Sequence, residues 1–348
     1  MPYKPRSNYL GPSGWLLGAG LVLLLTGLGA QTVLAEQDYS FRVERFEANP
    51  IIHREMHHMV GEVGENINGP SLIRVPEWID DPLGAYYLYF AHHNGQFIRL
   101  AYADHLKGPW KIHEGGVLPI EKTPRGGSAG HLASPDVHVD HDEQRIRMYY
   151  HQPVPGDTDF HWGQCTYVAL SEDGLRFEVR DDILGLPYFR VFEYNDWHYA
   201  IAKYGQESAV LYRSRDGLSD FTDFEDTPRA LPRARHMAVW LDKDNNHLYV
   251  FYSRGKDKPE RILVSRVTNL DDDWRDWEFS DPQTVLKPRK DFEGAFEPVE
   301  RSSFGSTYDF VHQLRDPAIY VEDGRLYLLY STAGEWAIAI AEIRLETE

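Results

Sequence analysis

The chain has one cysteine, Cys165, in 348 residues, which rules out a disulfide framework and any metal site built on several thiolates. Basic residues are scarce: 36 Lys and Arg stand against 54 Asp and Glu, a formal charge of −18. Nucleic acid, whose phosphates need a basic footprint, is therefore not an expected partner. Sustained helical periodicity is almost missing, and no linker-like or low-complexity stretch follows residue 36. Only one long uncharged run occurs, from Trp15 to Ala35. Lys4 and Arg6 precede it without any acid, and it ends in Val33-Leu34-Ala35 before Glu36. A basic start, an apolar middle and a small-residue exit describe a secretory signal peptide over residues 1–35. The alternative is an uncleaved anchor, because the run could just span a bilayer, although its glycines weigh against that. No cysteine lies near Ala35, so a lipid-anchored form is excluded. The expectation is a secreted or periplasmic protein, not inserted in the membrane once the peptide is removed, with residues 36–348 as one domain.

What is present is a core-forming composition, 42% hydrophobic and 13% aromatic, arranged as short strand-like runs between Gly, Asp and Asn turns. One phrase recurs five times: a short apolar strand, a polar turn, then a Tyr-rich strand. It reads PSLIRVP and AYYLYFAHH (70–93), SPDVHVD and RIRMYYHQ (134–152), and PYFRVFE and WHYAIAKY (187–204). It returns as HMAVWLD and HLYVFYSRG (236–255), then DPAIYVED and RLYLLYSTA (316–333). A third strand follows each, and the spacing leaves room for a fourth. Five such units predict an all-β fold, a five-bladed β-propeller of four-stranded antiparallel blades. An irregular β-sandwich is the competing architecture, and it does not account for a phrase repeated five times. The fifth unit ends after three strands, and residues 39–52 are placed to supply its fourth and close the ring. Asp-Gly dipeptides at 173–174, 216–217 and 323–324 read as hairpin turns.

In a propeller the first strand of each blade lines the central channel, so a site is sought at the start of each. The first blade offers Glu62, Glu65, Asn66, Asn68 and Gly69, the second His131, Ser134 and Asp136, the third Tyr188 and Arg190. The fourth offers Arg233, Arg235 and His236, and the fifth His312, Gln313, Arg315 and Asp316. Second strands end at His92-His93, His151, Lys203-Tyr204 and Ser253-Arg254, which would border the same mouth. The four arginines, at corresponding places around the ring, suit a carboxylate or sulfate. The adjacent pairs His57-His58 and His92-His93 do not suggest a metal, because neighbouring strand residues point to opposite faces.

At these residues the chain resembles the five-bladed β-propeller glycoside hydrolases, the superfamily that includes glycoside hydrolase families 43, 32 and 117. GPSLIRVP, YYLYFAHH and YADHLKGPW of the first blade carry the resemblance best, and ASPDVHVD of the second resembles the family's Ala-Pro-Asp-Val segment. The resemblance implies that Asp136 lies near the axis and adjusts an acid's pKa. It also implies two carboxyl groups across the scissile bond, roughly 6.5–9.5 Å apart in inverting enzymes. The family's base stands in an Asp-Pro-Ser motif where this chain has Gly69-Pro70-Ser71. Its acid stands in a Glu-Gly-Pro motif where this chain has Gly185-Leu186-Pro187.

Three accounts of that departure remain open. The carboxylates have moved, with Asp316 of the RDPA segment as one and Glu297, Glu300 or Glu65 as partner. Alternatively a histidine is the acid, His131, His151, His236 or His312 being candidates, since imidazole titrates near neutral pH. Or the protein binds glycans without cleaving them. The primary expectation is cleavage of glycosidic bonds in an anionic polysaccharide or oligosaccharide. Asp136, Asp316, His131, His236, His312 and Glu297 would be the catalytic candidates. Asn68, His93, His151, Tyr188, Arg190, Arg235 and Arg315 would bind substrate. A polysaccharide lyase and a non-catalytic glycan-binding propeller are the alternatives. No organic cofactor and no catalytic metal is expected; a structural calcium on the axis is left open by the resemblance alone.

Overall fold

Five antiparallel sheets are arranged as the blades of a propeller in the computed structural model, which describes residues 39–59, 61–154, 163–222 and 229–347. The expected signal peptide lies outside the described residues. Blade one contains Asn68–Arg74, Tyr86–Ala91, Phe97–Ala103 and Lys111–Ile112. Blade two contains Ala133–Asp140, Arg145–Pro153, Gln164–Ser171 and Glu178–Val179, and blade three Arg190–Tyr194, Trp197–Tyr204, Ser208–Ser214 and Arg229–Ala230. Blade four is built from Ala234–Asp242, His247–Arg254, Ile262–Val267 and Gln283–Leu286. Blade five has Arg315–Glu322, Arg325–Thr332 and Ala337–Thr347, and its outermost strand is Tyr39–Arg45, paired from Tyr39↔Thr347 to Arg45↔Ala341. The start of the described chain thus closes the ring, as the truncated fifth repeat predicts.

The second strands sit between neighbouring blades and are buried on both faces, so they read as unbroken apolar runs rather than alternation. Every residue of Tyr86–Ala91 is buried, as are Leu326–Thr332. Their tyrosines carry interblade hydrogen bonds. Tyr89 Oη of blade one donates to Gly174 O of blade two at 2.9 Å, and Tyr149 Oη of blade two to Gly217 O of blade three at 2.8 Å. Two of the three Asp-Gly dipeptides are therefore latches to the preceding blade. Asp173 and Asp216 shape those latches by accepting the backbone N–H of Leu175 and of Leu218, each at 2.8 Å. A Cβ on Gly174 would lie 2.7 Å from the Tyr89 hydroxyl, so close approach demands glycine there. Of the three, Asp323-Gly324, with φ of 50° and 70°, is the one that closes a two-residue hairpin, joining Glu322 to Arg325.

The inner strands are stitched by another repeated contact. Val137 N donates to Ser71 Oγ at 2.9 Å, and Val191 N donates to Asp136 Oδ2 at 2.8 Å. Ser71 and Asp136 occupy the same position in successive blades. Among the described residues no helix is long and apolar enough to cross a membrane.

Candidate functional site

Four of the five inner strands begin with a register shift, at Asn68/Ser71, Ala133/Asp136, Ala234/Met237 and Arg315/Ala318. Such bulges re-aim side chains at a sheet edge. Gly69, Ser134 and Asp316 take the same place in theirs, with φ of 59°, 52° and 48°. Asp316 is thus the structural equivalent, four blades on, of the Gly69 that stands where the resembled family has its base. Aspartate tolerates this left-handed backbone better than most residues.

Asp316 and His236 meet at the axial mouth, Oδ1 against Nδ1, with side chains 1% and 5% exposed. Ser331 Oγ donates to the other carboxylate oxygen at 3.3 Å. Tyr188 lies over His236 with ring centroids 4.6 Å apart, and His151 lies on the other side of Tyr188 at 4.1 Å. His131 meets His151 edge-on at 6.2 Å, which completes a row of four rings contributed by blades two, three and four. Lys203 places its ammonium 4.9 Å from the Tyr188 ring. Burial lowers the Lys203 ammonium to about 8, with Arg235 adding to the effect. Burial also holds His236 and His151 well below the ordinary imidazole value, reinforced at His236 by Arg235, Lys203, Arg190 and His93. His131 is lowered to about 4 by burial and by His93.

Beneath this row lies a buried ionic network that the sequence did not disclose. Arg315 Nη1 meets Glu335 Oε1 at 2.8 Å, and its Nε lies 3.5 Å from Glu260 Oε2 and donates to Gln313 Oε1 at 3.1 Å. Arg235 reaches the same two carboxylates, at 3.4 Å and 3.7 Å. Asn66 and Asn68 donate to Glu335 Oε2 at 2.6 and 3.3 Å, and His93 Nδ1 lies 3.4 Å from it. Burial would raise the Glu335 carboxyl, but His93, Arg315 and Arg235 hold it well below the usual range. Glu335 sits in an Ala-Gly-Glu-Trp turn and Glu260 in a Lys-Pro-Glu-Arg turn, and neither turn has a recognisable motif.

The remaining expected residues lie elsewhere. Asp136 is below the mouth, in a channel cavity of about 400 Å³ that Arg190, His138 and Glu322 also line. Its Oδ2 is bound to His138 Nε2 at 2.9 Å and to Val191 N. Burial opposes its ionisation, yet His138, Arg190 and Val191 together keep its pKa lowered. Arg190 spends its guanidinium on the carbonyls of Met237, Ser134 and Phe189. The arginines are not at corresponding strand positions: Arg315 precedes its bulge, Arg235 lies within one, and Arg190 aligns with Ser71 and Asp136. Glu297 is exposed, and its backbone carbonyl lies 3.2 Å from His312 Nδ1. Neither Glu297 nor His312 is a partner of Asp316 or His236. No group of three or more His, Cys, Asp or Glu among the described residues is placed to hold a metal ion.

Residues 302–308 form a strap over one side of the mouth. Arg235 donates to the carbonyls of Ser303 (2.7 Å) and Gly305, Arg315 donates to Gly305 O (3.2 Å), and Asn66 donates to Thr307 O (3.1 Å). Phe304 packs on Gly255 so closely that a Cβ there would lie 2.4 Å from its ring. Gly255→Ala is therefore expected to displace Phe304 and raise proteolytic cleavage within 301–310 several-fold. Limited proteolysis read by mass spectrometry checks this, and an unchanged cleavage rate would contradict the packing.

Neutral histidines, His151 and His236 buried and His92 and His131 half-buried, also fix a pH dependence. His92 is lowered to about 4 by burial first and then by Arg99 and His93; His131, His151 and His236 are lowered as described. Unfolded imidazoles take up protons below about pH 6.5, whereas folded His92 and His131 do so only near 4, and His151 and His236 are held well below the ordinary value. The unfolded state thus binds more protons in that window, and stability falls as pH drops from about 6.5 towards 4. Asp136 and Glu335, whose folded values are lowered, lose their contribution only below the unfolded carboxyl range. Calorimetry should show Tm falling between pH 6.5 and 4, with a shallower fall in His131→Gln/His151→Gln.

No family model matches the chain. It is 33% identical over 330 residues to the uncharacterized protein R118 of Acanthamoeba polyphaga mimivirus, covering 86% of this chain and 90% of the viral one. The chain belongs to that protein's family. Among solved structures it is similar to an alpha-L-arabinofuranosidase from Lactobacillus brevis, with a TM-score of 0.56 and 14% identity over 84% of this chain and 92% of the other. It is also similar to a thermostable family-43 glycoside hydrolase, with a TM-score of 0.55 and 14% identity over 81% and 93%. These likenesses are of fold.

Proposed function

We propose that the chain is an exported glycoside hydrolase that cleaves a polysaccharide or oligosaccharide at the axial mouth. The observation that carries this reading is the buried Asp316–His236 pair beneath Tyr188. With Nδ1 set against Asp316 Oδ1, the imidazole has Nε2 left to act as a base, and the lowered pKa keeps it unprotonated at neutral pH. His236 takes a proton from water as the water oxygen bonds to the anomeric carbon. The glycosidic C–O bond breaks, and the leaving oxygen takes a proton from Lys203, whose ammonium is still largely protonated at pH 7. The basic and apolar segment before residue 36 supports export. A second reading, β-elimination from a uronate, would draw on the same His236 base with the Lys203 ammonium nearby to meet the uronate carboxylate.

The test incubates residues 36–348 with neutral, uronate-containing and sulfated glycans, following new reducing ends and the absorbance of unsaturated uronates together. Reducing ends without absorbance support hydrolysis. Both signals together move the assignment to elimination, and silence with binding retained reduces the protein to a glycan-binding propeller.

A further inference from the structure

We propose that the seam between blades one and five carries a second binding site, for an acidic saccharide, in an outer cavity remote from Asp316. The cavity measures about 580 Å³. One wall is the segment after the ring-closing strand, with His53, His57 and His58; the other is the outer part of blade one, with Lys107, Trp110 and Lys111. In a chain with 54 acids and 36 bases, no Asp or Glu among the described residues lines it. Among the described residues neither lysine has a carboxylate partner. Each is instead placed near an aromatic face, Lys107 Nζ 5.5 Å from the Phe46 ring and Lys111 Nζ 6.0 Å from Tyr102. His58 holds φ at 67°, and its ring meets that of His57 edge-to-face at 3.9 Å.

The rest of the lining is apolar, including Pro50, Ile51, Pro109 and Ile112. A bare inorganic anion would leave that surface uncovered. A sugar ring bearing a carboxylate or sulfate satisfies both parts, its C–H face on the apolar wall and its charge against the lysines. The site goes beyond the axial reading and stands even if the axial mouth is catalytically inert.

Hydrogen exchange on the full chain tests it, with tetragalacturonate, a sulfated galactose tetrasaccharide, neutral galactotetraose, inorganic sulfate and ATP as probes. The acidic tetrasaccharides are expected to protect peptides 48–58 and 102–112, with half-protection needing at least about tenfold more ligand in Lys107→Glu/Lys111→Glu. Both lysines are exposed, so the fold should survive; Lys107→Gln/Lys111→Gln serves as a milder second variant. Asp316→Asn should leave this protection intact, which separates the outer site from the axial one. No protection of these peptides, equal protection by galactotetraose, unchanged protection in both lysine variants, or stronger protection by sulfate or ATP overturns the proposal.

Discussion

Replacing His236 with Gln is expected to lower glycosidic cleavage by about 10²–10⁴-fold, with Asp316→Asn falling in the same range. Both act on one pair: Gln removes the base, and Asn removes the carboxyl group set against its Nδ1. The pH–rate profile separates this role from mere structural support. Burial and the cations around it keep His236 unprotonated below the ordinary imidazole value, so the acid limb should lie below pH 6.5. The alkaline limb should lie near pH 8, where Lys203 loses its proton, and Lys203→Met should abolish that limb together with most of the rate. An alkaline limb unchanged in Lys203→Met would remove Lys203 as the acid. Full activity in His236→Gln would remove the pair from the chemistry altogether.

The repeated phrase exposed the blades because each second strand is buried on both faces and so cannot hide its Tyr-rich run. The ring-closing strand was legible for a related reason: blade five stops at three strands, and an open edge requires a partner. Asp316 and His236 stood out because both begin inner strands. What the sequence could not show was that they touch, since 80 residues separate them and only the ring brings blades four and five together. Lys203 was visible as the end of a second strand, but its place beside Tyr188 depends on packing. Glu260 and Glu335 come from unremarkable turns and become a pair only through Arg235 and Arg315. For the same reason the arginines looked like anion-binding groups in the sequence, whereas the fold commits Arg235 and Arg315 to carboxylates and strap carbonyls and Arg190 to carbonyls beside the inner strands. Asp-Gly dipeptides look alike in sequence, yet two latch blades and one turns a hairpin, a distinction set by which tyrosine faces them.

Glu335→Ala is expected to be the most destabilising single substitution in the ionic network, at about 3–5 kcal/mol, because it leaves buried guanidinium groups short of a counter-charge. Glu335 is 1% exposed, and Arg315, Arg235, His93, Asn66 and Asn68 all turn to it. Tm should fall by about 5–8 °C for a domain of this size. Glu335→Gln keeps an acceptor for the asparagines and should cost less. If charge rather than shape is the cause, Arg315→Met should cost less in the Glu335→Gln background than in the parent, which a double-mutant cycle reads directly. A loss of under 2 °C in Glu335→Ala, or strict additivity in the cycle, would mean that Glu260 alone compensates both arginines. The network also reaches the strap through Arg235 and Arg315, so Glu335→Ala should raise cleavage within 301–310 as well. Gly255→Ala should raise the same cleavage with little change in Tm, since it moves Phe304 without leaving a charge unpaired. The two variants thereby distinguish the ionic floor of the mouth from the strap that it holds.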